Sequence, residues 1–371
     1  MRCRFILYGL VLVCAAATLH AQTTLSPDIS LIGDFHAFTH NDDSRPEESE
    51  KFNLADPAME MVVAGYLNPF SRADAVIAWE DENAEIEELY GTILRGLPLG
   101  MNLRVGKSLL EFGHLNPVHP HAWSFLTRPL PHEVFFGEEG FNDMAVRASF
   151  LLPTGSAYTE LMLGVLKGNA LAGLDPADTL SEVRRNPGFF GRLGTSFATS
   201  ETAELALGGS VVNTVYKVVT PEVDSTTKAG EPDQLRAWLA GLDLKYKNKP
   251  SRYTTLQIEA EGLVRSNKQS DGSNLTSYGG YGYIDYRFWQ RHNIGGIVEY
   301  VRVKEGGEDA TASPVETDTW RAGLFVGFAP VEETSLIRIA SHWTEPDGGD
   351  GFWELDLQFL FSLGPHQPHN F

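Results

Sequence analysis

The sequence has 371 residues, 21% of them charged and 42% hydrophobic, with 29 Lys and Arg against 49 Asp and Glu, for a formal charge of −20. That imbalance repels nucleic acid and argues against a nucleic-acid partner. The composition is neither that of a disordered chain nor that of a helical membrane protein, which leaves globular and barrel classes.

At the start of the chain, Arg2 and Arg4 precede an apolar run from Phe5 to Ala17, and small residues follow near Ala21. This is the layout of a secretory signal, so residues 1–21 are expected to be removed and residues 22–371 to form a single domain. Leu19 sits where a small residue is preferred, and cleavage after Ala17 stays open as an alternative. Cys3 and Cys14 both lie in the signal, so the mature chain is expected to have no disulfide, thiol nucleophile or Cys-ligated zinc. Val13 is too bulky for the position before a lipidated Cys14. Loss of two arginines and no acids brings the mature charge to −22. No later apolar run reaches the roughly 18 residues of a membrane-spanning helix, so any crossing falls to strands.

Alternation with period two then recurs to the end of the chain, as a barrel wall that faces lipid and lumen by turns requires. In the last run, Trp353, Leu355, Leu357, Phe359, Phe361 and Leu363 share one face, while Glu354, Asp356, Gln358 and Ser362 share the other. Likewise Leu256, Ile258, Ala260 and Val264 oppose Gln257, Glu259, Glu261 and Arg265. The pattern predicts strands over 29–38, 58–67, 72–80, 86–95, 100–107, 141–152, 158–168, 189–199, 203–217, 236–247, 252–265, 278–289, 294–304, 318–328, 334–343 and 352–363. Pro57 and Pro69 interrupt a weaker pattern over the first three. Short and long connectors alternate, except that 81–85 is short where a long one is expected. The fold expected is an all-β transmembrane antiparallel barrel of about 16 strands, within a range of 14 to 18, with both termini in the periplasm.

Two acidic runs, Asp42, Asp43, Glu47, Glu48 and Glu50, then Glu80, Asp81, Glu82, Glu85, Glu87 and Glu88, read as solvated loops. The alternative is divalent-cation binding at a lipopolysaccharide surface.

The longest connector, 108–140, holds Trp123, Phe125, Phe135 and Phe136, stiffened by Pro117, Pro120, Pro129 and Pro131, which suits burial better than solvation. It also holds His114, His119, His121 and His132, with Glu111, Glu133, Glu138 and Glu139 nearby. Imidazole and carboxylate are ligands for zinc, so a metal made by His119, His121 and a third residue is one reading, although no HExxH motif accompanies them. The other reading is histidines that hydrogen-bond and stiffen the loop. No GxSxG elbow is present; Ser124 near His121 is the one pair that a barrel hydrolase would draw on.

The segment GKSLLEFGHLNP (106–117), the later GEEGFND (137–143), the strand layout and the terminal Phe371 resemble the phosphate-selective porin O and P group and its porin-like relatives. The resemblance implies a trimeric outer-membrane barrel, exported to the outer membrane of a Gram-negative-type bacterium, whose long third external loop folds into the lumen and narrows it. It also implies contact with outer-membrane lipid and lipopolysaccharide, and recognition by the barrel-assembly machinery through the last strand and Phe371. The basic ladder of that group does not carry over. Arg104, Arg147, Lys245 and Arg265 are expected to line the pore, but Glu259, Glu261, Glu354 and Asp356 match them. The function expected is a channel for passive passage of small hydrophilic solutes, without enzymatic activity or an obligatory cofactor. A divalent-metal barrel using the loop histidines is the alternative.

Overall fold

The computed structural model of the protein describes residues 27–80, 83–137, 139–168, 182–219, 233–268, 273–305, 315–331 and 334–364. The expected signal and the tail carrying His366, His369 and Phe371 lie outside them. Sixteen long strands follow in order: β1 (Asp28–His40), β2 (Ala58–Asn68), β3 (Ser71–Glu80), β4 (Asn83–Ile93), β5 (Asn102–Leu109), β6 (Asn142–Leu152), β7 (Tyr158–Leu166), β8 (Gly188–Ala198), β9 (Ala203–Val219), β10 (Asp233–Ser251), β11 (Thr254–Lys268), β12 (Asn274–Phe288), β13 (His292–Glu305), β14 (Val315–Val331), β15 (Ser335–Pro346) and β16 (Phe352–Leu363). Two short segments, Asn53–Leu54 and Glu182–Arg185, extend the ladder on β1 and β9. Among the described residues no helix is long and apolar enough to cross a membrane.

Every long strand pairs antiparallel with its sequence neighbours, and β1 closes the sheet against β16 from Leu31↔Leu363 to His40↔Glu354. Closure leaves no edge, so the backbone donors and acceptors of the wall are met within it. The strands lie within a few residues of those the alternation predicts, and the connector read at 81–85 is the short exception to the alternation of loops: β3 ends at Glu80 and β4 begins at Asn83.

The two faces are inverted relative to a soluble β-sandwich. On β16, Leu355, Leu357 and Phe359 are exposed while Asp356 is 0% exposed and Gln358 is buried. On β11, Ile258 and Val264 face out and Glu259, Glu261 and Arg265 are buried. Exposed rings gather near both rims: Tyr278, Trp320, Trp343 and Trp353 toward the long connectors, and Tyr253, Tyr286, Trp289 and Phe328 toward the short turns. Trp320 and Phe328 stand eight residues apart on β14. At about 3.4 Å per residue and a tilt of about 40°, this places the rings roughly 20 Å apart along the barrel axis, close to the apolar band of a bilayer-spanning barrel.

Leu324 sits midway between those rings and is 73% exposed. Leu324→Arg is expected to cost about 2–4 kcal/mol in reversible unfolding from liposomes, whereas Val331→Arg near the short-turn rim is expected to cost about 0–1 kcal/mol. Equal and negligible costs would show that water, not lipid, bathes this face.

Candidate functional site in the barrel interior

The connector between β5 and β6, residues 110–141, begins and ends at one anchor. Leu110 N–H donates to Phe141 O, the Asn116 side-chain amide donates to Leu110 O and Phe141 O, and Phe141 N–H donates to Asn116 Oδ1 at 2.8 Å. Between these ends the chain makes a 3₁₀ turn at Pro120–Ala122 and one short helix, α1 (Leu130–Phe136), where prolines supply the fixed φ that starts each turn. Its apolar side chains pack on the buried face of the wall. Leu110, Phe112, Phe135, Phe136 and Phe141 join Phe190, Val212, Leu239 and Leu263. Trp123 and Phe125 join Tyr281, Tyr283 and Phe325.

Polar groups on the same face of the wall meet polar groups of the connector. Glu261 Oε1 accepts from the backbone N–H groups of His114 (2.6 Å) and Leu115 (2.9 Å), and Glu261 Oε2 is 2.8 Å from His132 Nε2. A side chain at position 113 would collide with this carboxylate, because the Gly113 backbone has φ +73° and an added Cβ would lie 2.4 Å from Glu261 Oε2. Glu299 accepts from Leu130 N–H (2.6 Å) and from Arg321, whose guanidinium also reaches Arg128 O. Asp285 accepts from Ser124 Oγ at 2.9 Å. Arg338 donates to the carbonyls of Trp123 and Phe125.

The other residues expected to line a pore are distributed around this interior. Arg147 and Arg104 both meet Glu111, with Arg104 stacked 4.4 Å over the Tyr90 ring. Lys245 Nζ is 3.5 Å from Glu259, which also accepts from Tyr283. Arg265 lies 5.0 Å over Phe135. Asp356 pairs with His36 at 3.0 Å, and Glu354 pairs with Arg45. Two cavities of about 500 Å³ and 430 Å³ border the connector. Their walls come largely from residues near the short-turn ends of β7–β10 and of β10–β16 respectively.

The four connector histidines do not converge. His132 is committed to Glu261, and His114 Nε2 stands 2.9 Å from Asp243, which Arg192 also holds. His119 and His121 instead stack on each other, ring centroids 5.6 Å apart, beside Glu60 of β2. Burial works against charge on His119, but Glu88, Glu60 and Glu87 outweigh it and raise the imidazole to about 9. Ser124 and His121 form no pair, since the Ser124 hydroxyl is turned to Asp285.

Sequence reasoning missed Glu60, and although it placed Glu87 and Glu88 in a strand over 86–95 it took their acidic run for solvated. That part of the reading is corrected: Glu85 is exposed, but Glu87 is half-buried and Glu88 is buried, accepting from Leu109 N–H at 3.1 Å. The pairing skips from Val76↔Glu88 to Ile77↔Ile86, so Glu87 is the extra residue of a bulge, which the one-dimensional alternation does not register.

Removal of the Glu261 carboxylate in Glu261→Ala would leave His132 and two N–H groups buried without an acceptor, a cost of about 3 kcal/mol by analogy with broken buried pairs. The refolded variant is therefore expected to be cut by chymotrypsin within 110–141 about 100-fold faster than the parent. Unchanged resistance would show that other contacts hold the connector.

No family model matches the chain. An uncharacterized protein of Aquifex aeolicus (strain VF5) is 26% identical over 393 residues, covering 95% of this chain and 81% of that protein. Among solved structures, the outer membrane channel DcaP of Acinetobacter baumannii superposes with a TM-score of 0.59 at 12% identity, over 92% of this chain and 99% of that one. Outer-membrane expressed OmpT of Vibrio cholerae superposes at 0.55 and 9% identity, over 93% and 100% of the two chains. At these identities the likeness is one of fold, and the narrower resemblance to the phosphate-selective group is not carried by it. The chain has the closed antiparallel sixteen-strand fold found in outer-membrane barrels.

Proposed function

We propose that the protein is an outer-membrane channel for passive passage of small hydrophilic solutes, with residues 110–141 folded into the lumen to set its aperture. The observation that carries this reading is the pairing of the connector with charges on the buried wall face: Glu261, Glu299, Asp285 and Arg338, from four different strands, all bond to it. A connector held by four strands along one arc of a closed wall acts as a constriction. Water and solute pass beside it along faces that carry both signs of charge, including Arg104, Arg147, Lys245 and Glu259. The mixed charge gives no one-signed ladder for phosphate. In this reading the long connectors face outward, the short turns and both termini face the periplasm, and the segment 1–21 directs export. The work of the protein is passage, with no covalent step.

Refolded mature protein in planar bilayers is expected to show discrete conductance steps. Replacement of 117–128 by a short Gly-Ser link is expected to raise each step by about twofold or more, because the constriction dominates the resistance of a narrow pore. Correctly folded protein that gives no steps would overturn the channel reading; steps that ignore the replacement would overturn the role of the connector.

A further inference from the structure

Apart from the contacts that hold the connector to β11–β15, a separate group of donors meets near its midpoint. His119 Nδ1 is 3.5 Å from Glu60 Oε2 and 3.7 Å from Glu87 Oε2, and His121 Nδ1 is 3.2 Å from the same Glu60 oxygen. One ligand atom from each of Glu60, His119 and His121 falls within 4.8 Å of the others. A tetrahedral ion with bonds of roughly 2.0–2.1 Å holds its ligand atoms about 3.3 Å apart, so the three short separations already approach the spacing such an ion demands.

The local chain geometry builds this arrangement. Pro120 opens the 3₁₀ turn between the two histidines, and their rings stack at 19° with both facing Glu60. On β4 the bulge lets consecutive residues serve one site: Glu87 approaches His119 Nδ1, while Glu88 Oε1 lies 3.4 Å from His119 Nε2. A carboxylate on the far nitrogen fixes the tautomer and leaves Nδ1 as the ligand, which is the arrangement around metal-bound histidine. Moreover, His119 Nδ1 and Glu87 Oε2 are buried without a hydrogen-bond partner among the described residues, a cost that a bound cation would remove. His119 lines the 500 Å³ cavity and His121 the 430 Å³ cavity, so the donors border open space.

We propose that Glu60, His119 and His121, completed by Glu87 and oriented by Glu88, form a binding site for a divalent transition-metal ion of the zinc class. Two imidazoles among carboxylates select such an ion over magnesium or calcium, which take oxygen ligands. The bound ion ties the connector to β2 and β4, the side of the wall that the Glu261 and Glu299 contacts do not reach. A comparable group, His342, Glu354 and Asp356, is already neutralised by Arg45 on Glu354 and His36 on Asp356.

The test uses the mature full-length chain refolded in detergent, stripped with chelator and titrated with zinc by calorimetry, with cobalt(II) absorption reporting tetrahedral geometry. Heat-dependent gel mobility verifies the fold of each variant. One saturable site is expected in the parent. His121→Ala and Glu60→Gln are each expected to weaken it at least about 100-fold and to abolish the tetrahedral cobalt bands, and Glu88→Gln to weaken it about 10-fold. His114→Ala is expected to bind as the parent does, and excess magnesium to leave zinc in place. His366 and His369 are common to all forms, so the difference between forms reports this site. Absence of a saturable site in the parent, parent-like binding by folded His121→Ala and Glu60→Gln, or displacement by magnesium would overturn the proposal. Binding is read without current, so its failure and the failure of the channel reading are separate results.

Discussion

A carboxylate withdrawn from water needs donors, and the interior of this barrel is organised around that requirement at Glu261. Its two oxygens take two backbone N–H groups and one imidazole from the same connector, so a single wall residue orders the chain from Gly113 to His132. Glu299, Asp285 and Arg338 repeat the device with a backbone N–H, a hydroxyl and two carbonyls. Backbone groups that an irregular segment would otherwise leave unmet inside a barrel are thereby satisfied by the wall. Two apolar clusters accompany these polar contacts, one with Phe112 and Phe136 and the other with Trp123 and Phe125.

This arrangement bears on the proposed passage. The outer face carries no comparable polar demand: its exposed Leu, Val, Ile and aromatic side chains need only a non-aqueous surround, and the rings at both rims mark where that surround ends. The inner face accepts either water or a protein partner, because charged groups are satisfied by both. A lumen of that kind can be partly filled by a connector and remain wet elsewhere. The fold is shared with DcaP and OmpT at identities of 12% and 9%, as expected where closure and alternation, rather than particular residues, specify the architecture.

Much of this was legible along the chain. Alternation is a local property, and it located all sixteen strands; the aromatic and proline content of 108–140 likewise pointed to a connector that packs rather than one bathed in water, and its rings do join buried wall residues. Glu259, Glu261 and Arg265 lie on the buried face of the wall. Their partners were not legible. Glu261 meets His132 across 129 residues of sequence, and Arg338 meets Phe125 across 213. The second acidic run was misread for the same reason: charge density alone does not tell a hairpin tip from an inward strand face, and the bulge at Glu87 breaks the register on which the reading relied.

By itself, then, the sequence indicated a closed wall of about sixteen strands and picked out its longest, most apolar connector, since hydrophobic periodicity is written residue by residue. Only the tertiary structure decided how four similar histidines divide, with His132 going to Glu261, His114 to Asp243, and His119 and His121 to Glu60. The physical reason is that an imidazole's role depends on which carboxylate lies within about 3 Å, and ring closure of the barrel brings those carboxylates from strands distant in the chain.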